Sequence, residues 1–106
     1  MARGEIGRFS DASFLVLSSL AEGPKHGYAM MEDILAFSGT ALEPGTLYGA
    51  IARLEERGWI EALAAEERRR PYRITPSGLQ ALGRQVATLE HVALAGRRRL
   101  RALGDR

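Results

Sequence analysis

The stretch Pro44-Gly45-Thr46-Leu47-Tyr48-Gly49-Ala50-Ile51-Ala52-Arg53-Leu54-Glu55-Glu56-Arg57-Gly58-Trp59-Ile60 decides how the rest of the chain is read. Proline suits the first position of a helix, where its missing N–H leaves no bond unmade, and glycine suits the position just past a helix end. At about 100° per residue, Leu47, Ile51 and Leu54 share one face, while Thr46, Ala50, Arg53 and Arg57 share a neighbouring one. The expectation is a helix over 44–57 with its leucines and isoleucine inward and its arginines facing solvent.

Working downstream, residues 59–64 and 71–75 read as two short strands, with Ile60, Ala62, Tyr72 and Ile74 at the alternating inward positions. The tip between them, 65–70, carries Glu66 and Glu67 followed by Arg68, Arg69 and Arg70, and contains no glycine. Thr75-Pro76 then restarts a helix as cap and first turn. Along it, Leu79, Leu82, Val86, Leu89, Ala93, Gly96, Leu100 and Leu103 are spaced alternately by three and four, the a/d pattern of a coiled-coil seam. Such a helix is about 42 Å long at 1.5 Å per residue. A domain of this size cannot cover that stripe by itself, so the seam predicts a second subunit.

Upstream, Ser10 reads as the N-cap of a first helix, with Asp11 in its first turn. The run from Phe14 to Ala21 is apolar nearly all round and is expected at the centre of the domain. Gly23-Pro24 ends it. A second helix over 27–37 places Tyr28, Met31, Ile34 and Leu35 on one face, opposite Glu32 and Asp33, and Gly39 closes it. The fold class expected is mainly α with a small two-stranded β wing. It divides into a winged helix-turn-helix over 10–75 and a long C-terminal dimerisation helix over 76–103.

In a winged helix-turn-helix the second and third helices form the motif, and the third enters the DNA major groove. The small residues Gly45 and Thr46 let backbone N–H groups of the third helix approach a phosphate. Arg53 and Arg57 line one side of that helix, and the arginine triplet sits where a wing meets the DNA backbone or minor groove.

Two further pieces complete a recognisable set. Gly23-Pro24-Lys25-His26-Gly27-Tyr28, Pro44-Gly45-Thr46-Leu47-Tyr48, Arg53-Leu54-Glu55-Glu56-Arg57-Gly58-Trp59-Ile60 and Arg70-Pro71-Tyr72-Arg73-Ile74-Thr75-Pro76-Ser77-Gly78 together resemble the PadR family of transcriptional regulators. The likeness spans residues 12–103 and is to the smaller subfamily, without an extended C-terminal domain. It implies a homodimeric winged-helix repressor that dimerises through its last helix. It also implies DNA contacts from Lys25, His26 and Tyr28, from Gly45, Thr46, Tyr48 and Arg53, and from the wing residues Arg68, Arg69 and Arg70. The chain departs from the family pattern in three places. Glu43 stands where a serine cap is usual, Gly49 replaces a frequent proline, and the wing lacks the common glycines.

Several of these residues admit a second role. Tyr48 could contact the DNA backbone or pack against the second helix, and His26 could cap that helix or reach DNA. Trp59 reads as core in preference to a ligand platform, and Arg97, Arg98, Arg99 and Arg101 as a solvated face.

Composition narrows the remaining classes. The 106 residues contain no cysteine, which excludes a disulfide scaffold, a thiolate metal site and a cysteine nucleophile. Two histidines and no glycine-rich phosphate loop leave no nucleophile–base pair to nominate, so an enzyme is not expected; nor are a metal site or a cofactor. The longest apolar run, Phe14 to Leu17, is too short to span a membrane, and the first residues carry no apolar leader; a cytoplasmic location is expected. The net charge of +2 conceals an asymmetry: residues 1–67 hold five basic and eleven acidic side chains, and residues 68–106 hold ten and two. An acidic first part also fits a winged helix that binds protein instead of DNA. The partners that the family resemblance implies are double-stranded DNA and a second copy of the chain, with a small hydrophobic or aromatic effector as a further candidate. The small seam residues Ala93 and Gly96 either permit close helix crossing or leave an apolar void, lined by Leu89, Val92 and Leu100, for such an effector.

Overall fold

The structure is a computed structural model that describes residues 11–104. Helix α1, Ala12–Leu20, is capped by Asp11, whose carboxylate accepts the Ser13 N–H at 3.2 Å. The expected cap Ser10 lies outside the described residues. As its all-round apolar character requires, α1 is the hub of the domain: Leu15, Val16, Leu17 and Leu20 are buried, and the helix touches every other helix. Its one buried polar side chain, Ser19, donates a hydrogen bond to Asp33 at 2.7 Å and ties α1 to the next helix.

Strand β1, Lys25–His26, was not expected. It lies antiparallel on the later strand β3, Pro71–Ile74, with Lys25 opposite Tyr72 and His26 opposite Pro71. Strand β2, Ile60–Ala62, takes the other edge, with Ile60 opposite Ile74 and Ala62 opposite Tyr72. The sheet is thus three-stranded, in the order β1-β3-β2, instead of a two-stranded wing. Two residues show no alternation, and the partner of β1 is far along the chain, so nothing local signals the strand.

Helix α2, Gly27–Ser38, buries Gly27, Met30 and Ile34, one step round from the expected face. Met31 is half-buried, while Tyr28 and Leu35 are largely exposed. Helix α3, Pro44–Glu56, buries Leu47, Ile51 and Leu54 as expected. It also buries Ala50, which helical spacing puts on the neighbouring face with Arg53 and Arg57. Trp59 packs against the core, and the Arg57 guanidinium stacks 5.0 Å above its ring.

The hairpin between β2 and β3 closes at a two-residue turn. Glu66 and Arg69 exchange backbone hydrogen bonds of 2.7 and 2.9 Å, and Glu67 has φ +57°. A glycine would normally take that left-handed position. Helix α4, Pro76–Gly104, starts from a tight junction with the hairpin base. The Thr75 hydroxyl donates to the Gly58 carbonyl at 2.6 Å and accepts the Gly78 N–H at 3.1 Å, and Trp59 O accepts the Thr75 N–H. A side chain at Gly78 would overlap the Trp59 carbonyl and come within 2.7 Å of Ile74. That close approach fixes the direction in which α4 leaves. Gly78, Ala81 and Leu82 face the domain; beyond them the helix runs on through solvent, giving the molecule a 60 Å long axis. Among the described residues no helix is long and apolar enough to cross a membrane.

Candidate nucleic-acid interface

Three elements converge at one end of the winged domain. Their meeting forms an open cleft of about 250 Å³ lined by His26, Gly27 and Tyr28 from the start of α2, Tyr48 from α3, and Arg68, Arg69, Arg70 and Tyr72 from the hairpin. Six of the residues singled out in the sequence therefore line the same space: His26, Tyr28, Tyr48 and the arginine triplet.

Three of them, His26, Arg69 and Arg70, make identifiable local contacts. His26 caps α2, its Nδ1 accepting the Ala29 N–H at 3.3 Å, while its Nε2 lies 3.2 Å from the Arg69 guanidinium. The contact between the His26 ring and Arg69 ties the wing tip to the start of α2. Arg70 is anchored by a 2.9 Å bond to the Leu63 carbonyl, which aligns the base of the triplet. The Tyr72 phenol has its pKa raised, first by burial, then by the charge of Glu55 and by Tyr48, against a lowering by Arg70. It remains a neutral hydroxyl, able to donate.

The remaining candidates fall elsewhere. Gly45 and Thr46 are exposed in the first turn of α3, and the N-cap Glu43 makes no side-chain capping bond. The backbone N–H groups of that turn are consequently open to solvent. Arg53 is exposed too, but it lines a different cavity of about 230 Å³, among Asp11, Arg57, Trp59 and Gln85. Lys25 turns inward, in contrast to the DNA contact expected of it. Its ammonium lies 2.6 Å from the Ser19 carbonyl, 3.1 Å from Glu22 and 3.8 Å from Asp33, with the side chain only 14% exposed. Strand pairing in β1 sends the side chains of Lys25 and His26 to opposite sides, so only one of them reaches the cleft.

Sequence reading missed two residues of the cleft. Tyr72 was legible as an inward strand position, but not as a hydroxyl at the cleft. Gly27 carries no side-chain chemistry and was read only as a helix start. Two acids, Glu66 and Glu67, line an adjoining cavity with His26 and Arg69 and moderate the positive charge there. Among the described residues no group of three His, Asp or Glu side chains is placed to hold a metal ion.

The family model of the transcriptional regulator PadR-like family matches residues 16–84, from α1 through the first turns of α4. A transcriptional regulator of Mycobacterium tuberculosis is 37% identical over 84 residues, covering 74% of this chain and 75% of that one. An uncharacterised protein in a transposon of Streptomyces fradiae is 44% identical over 86 residues, 81% of this chain; the chain spans only 25% of that relative's length. Among solved structures, a transcriptional regulator from Clostridium thermocellum aligns with a TM-score of 0.77 at 30% identity, covering 92% of this chain and 96% of that one. A PadR family regulator from Eggerthella lenta aligns with a TM-score of 0.71 at 36% identity, covering 91% and 85%. The chain belongs to the PadR-like family of transcriptional regulators, and its winged helix is that of a regulator, not the scaffold of an enzyme.

Proposed function

We propose that this protein is a cytoplasmic, dimeric DNA-binding repressor that recognises a pseudo-palindromic operator. The observation that carries this reading is the cleft, where the start of α2, Tyr48 and three wing arginines face one space. Hydroxyl, imidazole and guanidinium donors in such an arrangement match the non-bridging oxygens of a phosphodiester. The exposed first turn of α3, with Gly45 and Thr46, supplies further donors, and Arg53 on the same helix is the candidate for reading a guanine edge. A dimer through α4 sets two recognition helices at a fixed spacing, which is what a two-fold operator requires.

The acidic balance of residues 1–67 favours one competing reading, a winged helix that binds protein. Selection of bound fragments from the source organism's genomic DNA separates the two. Enrichment of a shared inverted repeat supports the operator reading, whereas recovery of no common sequence leaves the protein-binding one. An effector site between the paired α4 helices, at Ala93 and Gly96, would release DNA by favouring a different spacing of the recognition helices. Gly96→Leu should then abolish ligand-induced release while leaving the dimer intact. Loss of the dimer would instead mean that the two helices cross closely there.

A further inference from the structure

The contact between Gly27 and Tyr48 joins the two helices of the helix-turn-helix directly at the mouth of the cleft. Gly27 is buried at the first position of α2, while Tyr48 is half-exposed on α3. A Cβ built on Gly27 would lie 2.8 Å from Cζ of the Tyr48 ring and 3.3 Å from Cε1, and would overlap the phenolic oxygen itself. The phenol therefore occupies the volume that any other residue's side chain would need. The backbone of α2 is not what demands glycine here: Gly27 is not among the glycines with positive φ. What a side chain there would have to displace is the outer end of the Tyr48 ring.

Seated in this notch, the hydroxyl of Tyr48 stands beside the capping histidine and shares the cleft with Arg68, Arg69 and Arg70. The Tyr72 phenol lines the same cleft. A half-exposed tyrosine on a helix surface would ordinarily sample several rotamers. The notch removes that freedom on one side, so the donor is already oriented before an anion arrives.

We propose that Gly27 is a positioning residue for DNA binding, its missing side chain forming the seat that orients the Tyr48 hydroxyl toward a phosphate. This rests on the DNA-binding reading above, but its first test does not need DNA. A double-mutant cycle of Gly27→Ala, Tyr48→Ala and the combination, followed by urea denaturation, measures the contact in the free protein. The expected result is that Gly27→Ala lowers the urea midpoint in the natural background and leaves it unchanged once Tyr48 is alanine. Should Gly27→Ala fail to fold, the Gly27→Ala/Tyr48→Ala chain is expected to fold again; failure of both overturns the proposal.

The second arm uses a duplex carrying the selected operator. Gly27→Ala and Tyr48→Ala should each weaken binding about tenfold, the scale of one hydrogen bond to a charged group. The combination should be no weaker than either alone. Independent, multiplying losses would show that Gly27 acts by its own backbone approach and overturn the positioning role. If the unaltered protein fails to bind DNA in a salt-sensitive way, the functional reading falls instead, and the urea cycle still decides the seat.

Discussion

The winged domain and the outer part of α4 both carry apolar residues at regular spacing, yet the two regions finish differently. In the domain, Leu15, Val16, Leu20, Met30, Ile34, Leu47, Ile51, Leu54 and Ile60 lose nearly all contact with solvent. Along α4, Val86, Val92, Leu94, Leu100 and Leu103 stay exposed, Leu100 at 71%. The first region has its partners within the chain. The second has a stripe at a/d spacing and, among the described residues, nothing of its own chain laid on it, and a solitary helix of that kind is marginal in water. A closed core and an open seam, joined at Gly78, fit a rigid DNA-reading unit carried on an association element.

That contrast is most strongly tested inside the core. Leu54→Ala should lower the unfolding free energy by about 2–5 kcal/mol, a large share of what a domain of this size possesses. Leu100→Ala, also on a helix and also a leucine, should change the stability of the winged domain by less than about 0.5 kcal/mol. Urea denaturation of the two variants at a concentration where the chain is monomeric makes the comparison. Similar losses would mean that the outer helix is packed within the chain after all.

Next in size is the effect on association. Leu89→Asp places a carboxylate in the centre of the seam, where burial without a partner costs several kcal/mol. Light scattering should report a monomer, with the circular dichroism of a folded winged domain. A surviving dimer would move the interface elsewhere. Leu82→Asp is a less clean probe, because Leu82 already packs on the domain's own core.

A smaller, favourable change belongs to the wing tip. Glu67 holds φ +57°, a conformation that costs an ordinary residue about 1 kcal/mol more than glycine. Glu67→Gly should raise the thermal midpoint by a few degrees and, by removing an acid beside the arginines, tighten DNA binding. A lowered midpoint would show that the glutamate makes a contact worth more than the strain.

How far the sequence reveals these features depends on whether the responsible pattern is local. Leu47, Ile51 and Leu54 repeat at helical spacing between a proline and a glycine, so both the helix and its buried face are readable. The same holds for the alternating spacing of the α4 seam. For α2 the periodicity has two solutions. Tyr28 and Leu35 are apolar enough to suggest one face, whereas Gly27, Met30 and Ile34 form the buried one, and glycine contributes nothing to a hydrophobic pattern. Strand β1 and the Gly27 seat depend on residues distant in the chain, Tyr72 and Tyr48 respectively. The inward turn of Lys25 depends on the packing of α1 against α2, which brings the Ser19 carbonyl and Asp33 to its ammonium. The cleft's charged members were legible as types, but its shape was not.

The most direct test of the DNA-binding account compares Arg69, at the cleft, with Lys25, a cation of the same charge turned into the fold. Affinity for an operator duplex is measured over a range of salt concentration for the natural protein, Arg69→Ala and Lys25→Ala. The account predicts a steep log–log dependence that Arg69→Ala flattens by about 0.9, the contribution of one neutralised phosphate. Lys25→Ala should leave that slope unchanged and lower the thermal midpoint instead. An equal loss of slope in both variants, or a flat dependence in the natural protein, would contradict it.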